Sequence, residues 1–124
     1  MVKIKKLLDT YALIEIAKEN VKFARYIKDD FNITDITLSE FYFVLLREEN
    51  QSFAEYWFKK LKRYSMPVEK ETLKEAMNFK YENRKNNISF FDAVGYIFAL
   101  KNGYYFVTGD KEFENMKNVE FQKK

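Results

Sequence analysis

Four acids stand where a carboxylate could do chemistry. Asp9 follows the apolar pair Leu7-Leu8, and Glu40 closes Thr37-Leu38-Ser39-Glu40. Asp92 lies in Phe91-Asp92-Ala93, and Asp110 ends Phe106-Val107-Thr108-Gly109-Asp110. Each has an ordinary explanation. Asp9 and Asp110 could cap the helices that begin one residue later, accepting from exposed backbone N–H groups. Glu40 comes three residues after Thr37 and Asp92 three after Ser89, both at capping-box spacing. If the four instead meet in one crevice, their repulsion forces some to take up protons unless a cation offsets it. Such an all-oxygen set suits hard divalent ions, Mg²⁺ or Mn²⁺, which keep several of their waters. The chain has no histidine and no cysteine. Disulfides, thiol nucleophiles, imidazole acid–base chemistry and Cys/His zinc sites are thereby excluded. Any catalysis must use carboxylates, hydroxyls, lysine, tyrosine or a bound ion.

The elements that position these acids can be read from apolar spacing. Lys3 to Leu8 reads as a first strand. From Thr10 to about Lys28, Leu13, Ile14, Ala17, Val21, Ala24 and Ile27 recur at three and four residues, which predicts a helix broken near Asn20. Ile33–Ile36 predicts a second strand, Leu38–Glu48 and Ser52–Tyr64 two helices, and Met66–Val68 a short strand. Lys70–Lys85 and Phe90–Lys101 read as helices, the latter stopped by Asn102-Gly103. Tyr104–Thr108 is a strand, Lys111–Met116 a short helix and Val119–Gln122 a last strand. Strands alternating with helices predict an α/β fold, a three-layer α/β/α sandwich on a mostly parallel sheet. Right-handed crossovers then bring the strand C-termini to one edge, where ligands bind in open sheets. Asp9, Glu40 and Asp110 fall near strand ends, and the helix begun near Asp92 runs antiparallel to the strand it precedes. All four should therefore reach the same edge.

The totals are consistent with this. At 124 residues, with 47% hydrophobic and 33% charged residues, the chain suits one globular domain over 1–124. Its 13 Phe and 9 Tyr exceed what a small core requires and point to a partner surface or a thick aromatic core. The net charge of +3 permits phosphate contact without demanding it. No apolar run is long enough to span a membrane, and no signal-type stretch precedes Asp9, so a cytoplasmic location is expected.

The order of these motifs, Leu7-Leu8-Asp9-Thr10, Thr37-Leu38-Ser39-Glu40, Phe91-Asp92-Ala93 and Val107-Thr108-Gly109-Asp110-Lys111-Glu112-Phe113, resembles a PIN domain. The compact length resembles, more narrowly, the VapC-type toxins of toxin–antitoxin pairs. The resemblance covers the whole chain, with Thr108–Phe113 its most specific stretch. It implies a PIN-like sheet flanked by helices and a metal-dependent endoribonuclease using Mg²⁺ or Mn²⁺. Asp9, Glu40, Asp92 and Asp110 match the acidic quartet, Thr10 and Thr108 the polar positions beside it, and Glu112 a further acid that some members carry. Gly95-Tyr96 departs from the small aliphatic residues common there. Asp9, Asp92 and Asp110 would hold one or two ions for in-line attack of water on a phosphodiester, with Glu40 holding a second ion or orienting the water. Arg84, Lys85, Lys101 and Lys111 are candidate RNA-binding cations. The aromatic stretch Phe41–Leu46, with Phe53, Tyr56, Trp57 and Phe58, would supply a homodimer contact and an antitoxin groove.

Three rivals remain. A receiver-like phosphoacceptor would want an acidic pair after the first strand, and an aspartyl phosphatase an acid two residues after Asp9, where Tyr11 stands. A catalytically idle PIN-like module that only binds RNA or a protein fits the same acids.

Overall fold

In the computed structural model, which describes residues 4–124, the sheet is built from very short strands. β1 is Lys6–Leu8, β2 Phe31–Thr34, β3 Ser65–Met66, β4 Tyr105–Thr108 and β5 Val119–Phe121. Their order is β3-β2-β1-β4-β5 and every pairing is parallel. Successive side chains of a strand face opposite ways. Leu7 and Phe106 therefore enter one core while Leu8 and Val107 enter the other. Helices α1 (Thr10–Ala17), α2 (Asp35–Glu48) and α3 (Gln51–Leu61) cover the Leu8 face, contributing Leu13, Phe41 and Leu61. Helices α4 (Lys70–Glu82) and α5 (Phe90–Asn102) cover the Leu7 face, contributing Ala76, Val94 and Ala99. This is the three-layer sandwich expected, with a fully parallel sheet. Among the described residues no helix is long and apolar enough to cross a membrane.

The chain runs from β1 outward to β3, then returns to add β4 on the other side of β1. The strand order thus reverses between β1 and β4, where an open parallel sheet leaves a crevice at its carboxyl edge. Leu8 pairs with Val107 at that junction, and Asp9 and Asp110 follow directly.

The largest departure from the sequence expectation lies at 18–30. The first helix stops at Ala17 because Glu19 takes a left-handed conformation with φ 63. Asn20 then donates to Glu15 and accepts from the Lys22 N–H, and the chain re-forms only a short 3₁₀ turn at Ala24–Ile27. The break moves burial off the helical stripe: Val21 is 86% exposed, whereas Phe23 and Tyr26 are completely buried. The other differences are at boundaries. β2 lies two residues earlier than expected and α2 starts at Asp35, because the Thr34 hydroxyl accepts from the Thr37 N–H as its cap. Lys111–Phe113 is a 3₁₀ turn, and Lys3 lies outside the described residues.

Gly95-Tyr96 has a packing reason. A Cβ at Gly95 would stand 2.8 Å from Cε1 of Phe106, so the glycine lets α5 settle directly on a β4 ring. Tyr96 donates to the Lys117 carbonyl at 2.9 Å. The aromatic stretch divides between inside and outside. Phe41, Leu45 and Trp57 are core, while Phe43, Leu46 and Tyr56 are exposed.

Candidate active site

Asp9 caps α1 with one carboxylate oxygen and leaves the other unpaired among the described residues. It precedes α1 with extended backbone, and its Oδ1 accepts from the Ala12 N–H at 2.8 Å. Its own N–H donates to the Val107 carbonyl at 3.1 Å, which locks it to β4. The residue is only 2% exposed, and Oδ2 is buried with no hydrogen-bond partner. An orphaned carboxylate oxygen in such a place is costly unless something outside the chain satisfies it. Burial pushes the Asp9 carboxyl well above its ordinary value, and the Asp92 charge pushes it further. The Thr108 hydroxyl and the Ala12 N–H oppose that shift, but only the Ala12 contact has ordinary hydrogen-bond geometry.

Asp92 lies in the first turn of α5. Ser89 caps that helix by accepting from the Asp92 N–H at 3.1 Å. The Asp92 carboxyl is raised from 3.8 to about 7, first by burial and then by the charges of Glu40 and Asp110. Asp110 caps the 3₁₀ turn, its Oδ1 accepting from the Glu112 N–H at 3.0 Å, while its own N–H donates to the Thr108 hydroxyl at 3.0 Å. Glu112 thus meets the site through its backbone, and its side chain does not line the crevice. The capping-box reading of Glu40 fails because α2 begins a turn early. Glu40 instead accepts from the Thr10 hydroxyl, across from α1.

Asp9, Glu40, Asp92 and Asp110 all line one crevice of about 490 Å³, together with Thr10, Tyr11, Gly109 and Lys111. Among the described residues no three acidic side chains stand in ligating geometry around one point. The residues nonetheless fit a hard divalent ion. The donors are all oxygen, one of them is buried and unsatisfied, and Mg²⁺ needs only one or two carboxylates beside its waters.

Tyr11 is the crevice residue that sequence reasoning missed. Its ring lies on Gly109 so closely that a Cβ there would stand 2.1 Å from Cε1. Gly109 is therefore required by close approach, not by its φ, and the turn glycine beside Asp110 was the available signal. We expect Gly109→Ala to cost roughly 1–3 kcal/mol by overpacking. Thermal melts should show the loss, and the same glycine substitution should cost much less in a Tyr11→Ala background.

Of the four proposed cations only Lys111 lines the crevice. Lys101 is corrected: it lies roughly 14 Å along α5 from Asp92 by helical rise, paired with Glu75 at 3.2 Å. Arg84 folds back on Tyr81, donating to its carbonyl at 2.9 Å and stacking 4.3 Å from its ring. Lys85 is exposed beyond the end of α4 and does not line the crevice.

The same fold occurs in several solved structures. A toxin–antitoxin complex from Klebsiella pneumoniae superposes with a TM-score of 0.74 at 14% identity, over 93% of this chain and 95% of that one. VapC20 from Mycobacterium tuberculosis, a sarcin–ricin loop cleaving toxin, gives 0.72 at 14% identity over 80% and 84%. PAE2754 from Pyrobaculum aerophilum gives 0.72 at 22% identity over 97% and 92%. No match was found among curated protein sequences. Identities this low speak for the fold alone, but a PIN-domain family model matches residues 6–119 of the sequence itself. With that match over nearly its whole length, and with the acids of the motif gathered at the β1/β4 crevice, the chain belongs to the PIN-domain family.

Proposed function

We propose that this chain is a single-domain, metal-dependent endoribonuclease over residues 1–124, with Asp9, Glu40, Asp92 and Asp110 as its catalytic and metal-holding residues. The observation that carries the reading is the buried, partnerless Oδ2 of Asp9 in a crevice shared with three other carboxylates. Mg²⁺ or Mn²⁺ is the ion such oxygen donors favour. A bound divalent ion supplies Lewis acidity, making water nucleophilic near neutral pH and offsetting charge on a phosphodiester.

The chain's own residues do the rest. The Ala12 N–H fixes one Asp9 oxygen and leaves the other unpaired, buried in the wall of the crevice. The Thr10 hydroxyl holds Glu40 toward the same space, where its carboxylate can orient a water or hold a second ion. Thr108 and the Glu112 N–H fix the turn that carries Asp110. Asp92, its carboxyl raised to about 7, can hold or release a proton at its carboxylate oxygen near neutral pH. Lys111 at the rim offers the cationic approach that a phosphate requires.

RNA as the substrate, a toxin role and an antitoxin partner follow from likeness to the toxin structures. A second cleft of about 470 Å³, lined by Val21, Ile27, Tyr56 and Lys60 among others, supports a protein partner. A homodimer and a cytoplasmic setting belong to the same proposal. The idle-module reading is favoured only by the open spacing of the acids. Cleavage of a mixed RNA substrate by the purified protein separates the two. Activity with Mn²⁺ that disappears in EDTA and returns on adding Mn²⁺ supports the enzyme. Binding without cleavage at any Mn²⁺ or Mg²⁺ concentration would leave the idle module.

A further inference from the structure

Beyond Glu40, α2 carries a stripe that leads out of the acidic crevice. Glu40, Phe43, Val44 and Arg47 fall at i, i+3, i+4 and i+7, one face of a helix. With Phe91 from the first turn of α5 they line a cleft of about 430 Å³. Glu40 lines both spaces, so the cleft adjoins the crevice.

The surfaces of this cleft are planar. Phe43 is 59% exposed, an unusual state for a ring of that size. The Arg47 guanidinium lies 5.6 Å from its ring centroid. Glu48 holds Arg47 at 3.0 Å, but an exposed pair of this kind is weak and leaves the guanidinium plane available. From Glu40 to Arg47 the helix advances roughly 10 Å. An aromatic face and a cationic plane beside a phosphodiester-cleaving crevice match an unpaired nucleobase, whose π-face stacks while its phosphates run toward the acids. An aliphatic peptide segment would gain nothing from the guanidinium or from the carboxylate at the inner end.

We propose that the Phe43–Arg47 face of α2, with Phe91, is a stacking subsite for an unpaired nucleotide next to the scissile phosphodiester of an RNA substrate. This rests on the nuclease reading above. A single-stranded RNA carrying 2-aminopurine near the cleaved bond tests it with the full chain, by cleavage kinetics in Mn²⁺ and by binding in EDTA. Base–aromatic stacking predicts that Phe43→Ala and Arg47→Ala each raise KM and Kd about tenfold. The change in kcat should be smaller, and Phe43→Tyr should restore both constants. Quenching of the 2-aminopurine on binding should be lost in Phe43→Ala. Wild-type KM, Kd and quenching in Phe43→Ala would overturn the subsite while leaving the nuclease intact. Absence of wild-type cleavage would count against the nuclease, and the binding arm would still decide the stacking. Light scattering completes the test: a wild-type dimer that becomes a monomer in Phe43→Ala makes this face a subunit contact and overturns the proposal.

Discussion

Asp9→Asn should abolish Mn²⁺-dependent RNA cleavage, lowering kcat by about a thousandfold or more while the fold persists. The size follows from removing charge at a preorganised site, where even one lost stabilising donor costs a hundred- to a thousandfold. Persistence of the fold follows from the two jobs of the Asp9 side chain. Asparagine is as good an N-cap as aspartate, so the bond from the Ala12 N–H survives. What disappears is the carboxylate Oδ2 that could hold an ion, an atom with no hydrogen-bond partner among the described residues. The substitution also removes a buried carboxyl whose ionisation the fold resists, a cost that the unfolded wild-type chain escapes by releasing its proton. The metal-free variant should consequently melt higher than the wild type at pH 7–8, though it cleaves nothing. A parallel assay of cleavage and of melting in EDTA checks both halves. Wild-type cleavage by Asp9→Asn would identify a contaminating nuclease, and a lower melting temperature would mean that Asp9 serves the fold first.

The second large effect is on the pH dependence of stability without metal. The Asp92 carboxyl is raised from 3.8 to about 7, and Asp9 is raised as well, both chiefly by burial. Between those pH values the folded chain holds protons that the unfolded chain has already released. Stability therefore falls as pH rises through this window, fully present below the unfolded value and lost above the folded one. For Asp92 alone a rise of about three units corresponds to roughly 4 kcal/mol. In a domain of this size that amounts to more than 10 °C in Tm, at several degrees per kcal/mol. Melts from pH 4 to 8 in EDTA should thus decline steadily toward neutrality. Millimolar Mn²⁺ should restore much of the loss near pH 7–8, since a ligand of the folded state stabilises it by about 2.7 kcal/mol at a hundred times its Kd. A flat profile, or a Tm indifferent to Mn²⁺, would mean that the four carboxylates do not share a field.

Much of the site was legible because acids at strand ends are local signals. Asp9 after Leu7-Leu8 and Asp110 after Val107-Thr108 each follow an apolar run that can only be a strand, and a parallel sheet sends every such end to one edge. Where a local signal competed with a longer-range one, it misled. The stripe through Val21 and Ile27 looked helical, yet Glu19 turns left-handed and Phe23 and Tyr26 take the core positions. Glu40 had capping-box spacing from Thr37, yet the cap is Thr34 and Glu40 reaches across to Thr10. Lys101 was a candidate cation for the crevice, but it stands at the opposite end of α5 from Asp92, where Glu75 holds it.

The sequence by itself determined the class of fold, the absence of imidazole and thiol chemistry, and the four carboxylates, since apolar period and residue type are properties of short stretches. Which Asp9 oxygen is left unpaired, how Tyr11 lies on Gly109 and how the Phe43–Arg47 face of α2 comes to adjoin the crevice became visible only in the folded chain. The physical reason is that each of these depends on where two distant elements touch. Contacts of that kind follow from the packing of α1, α2 and α5 around the β1/β4 junction, which no single stretch of chain encodes.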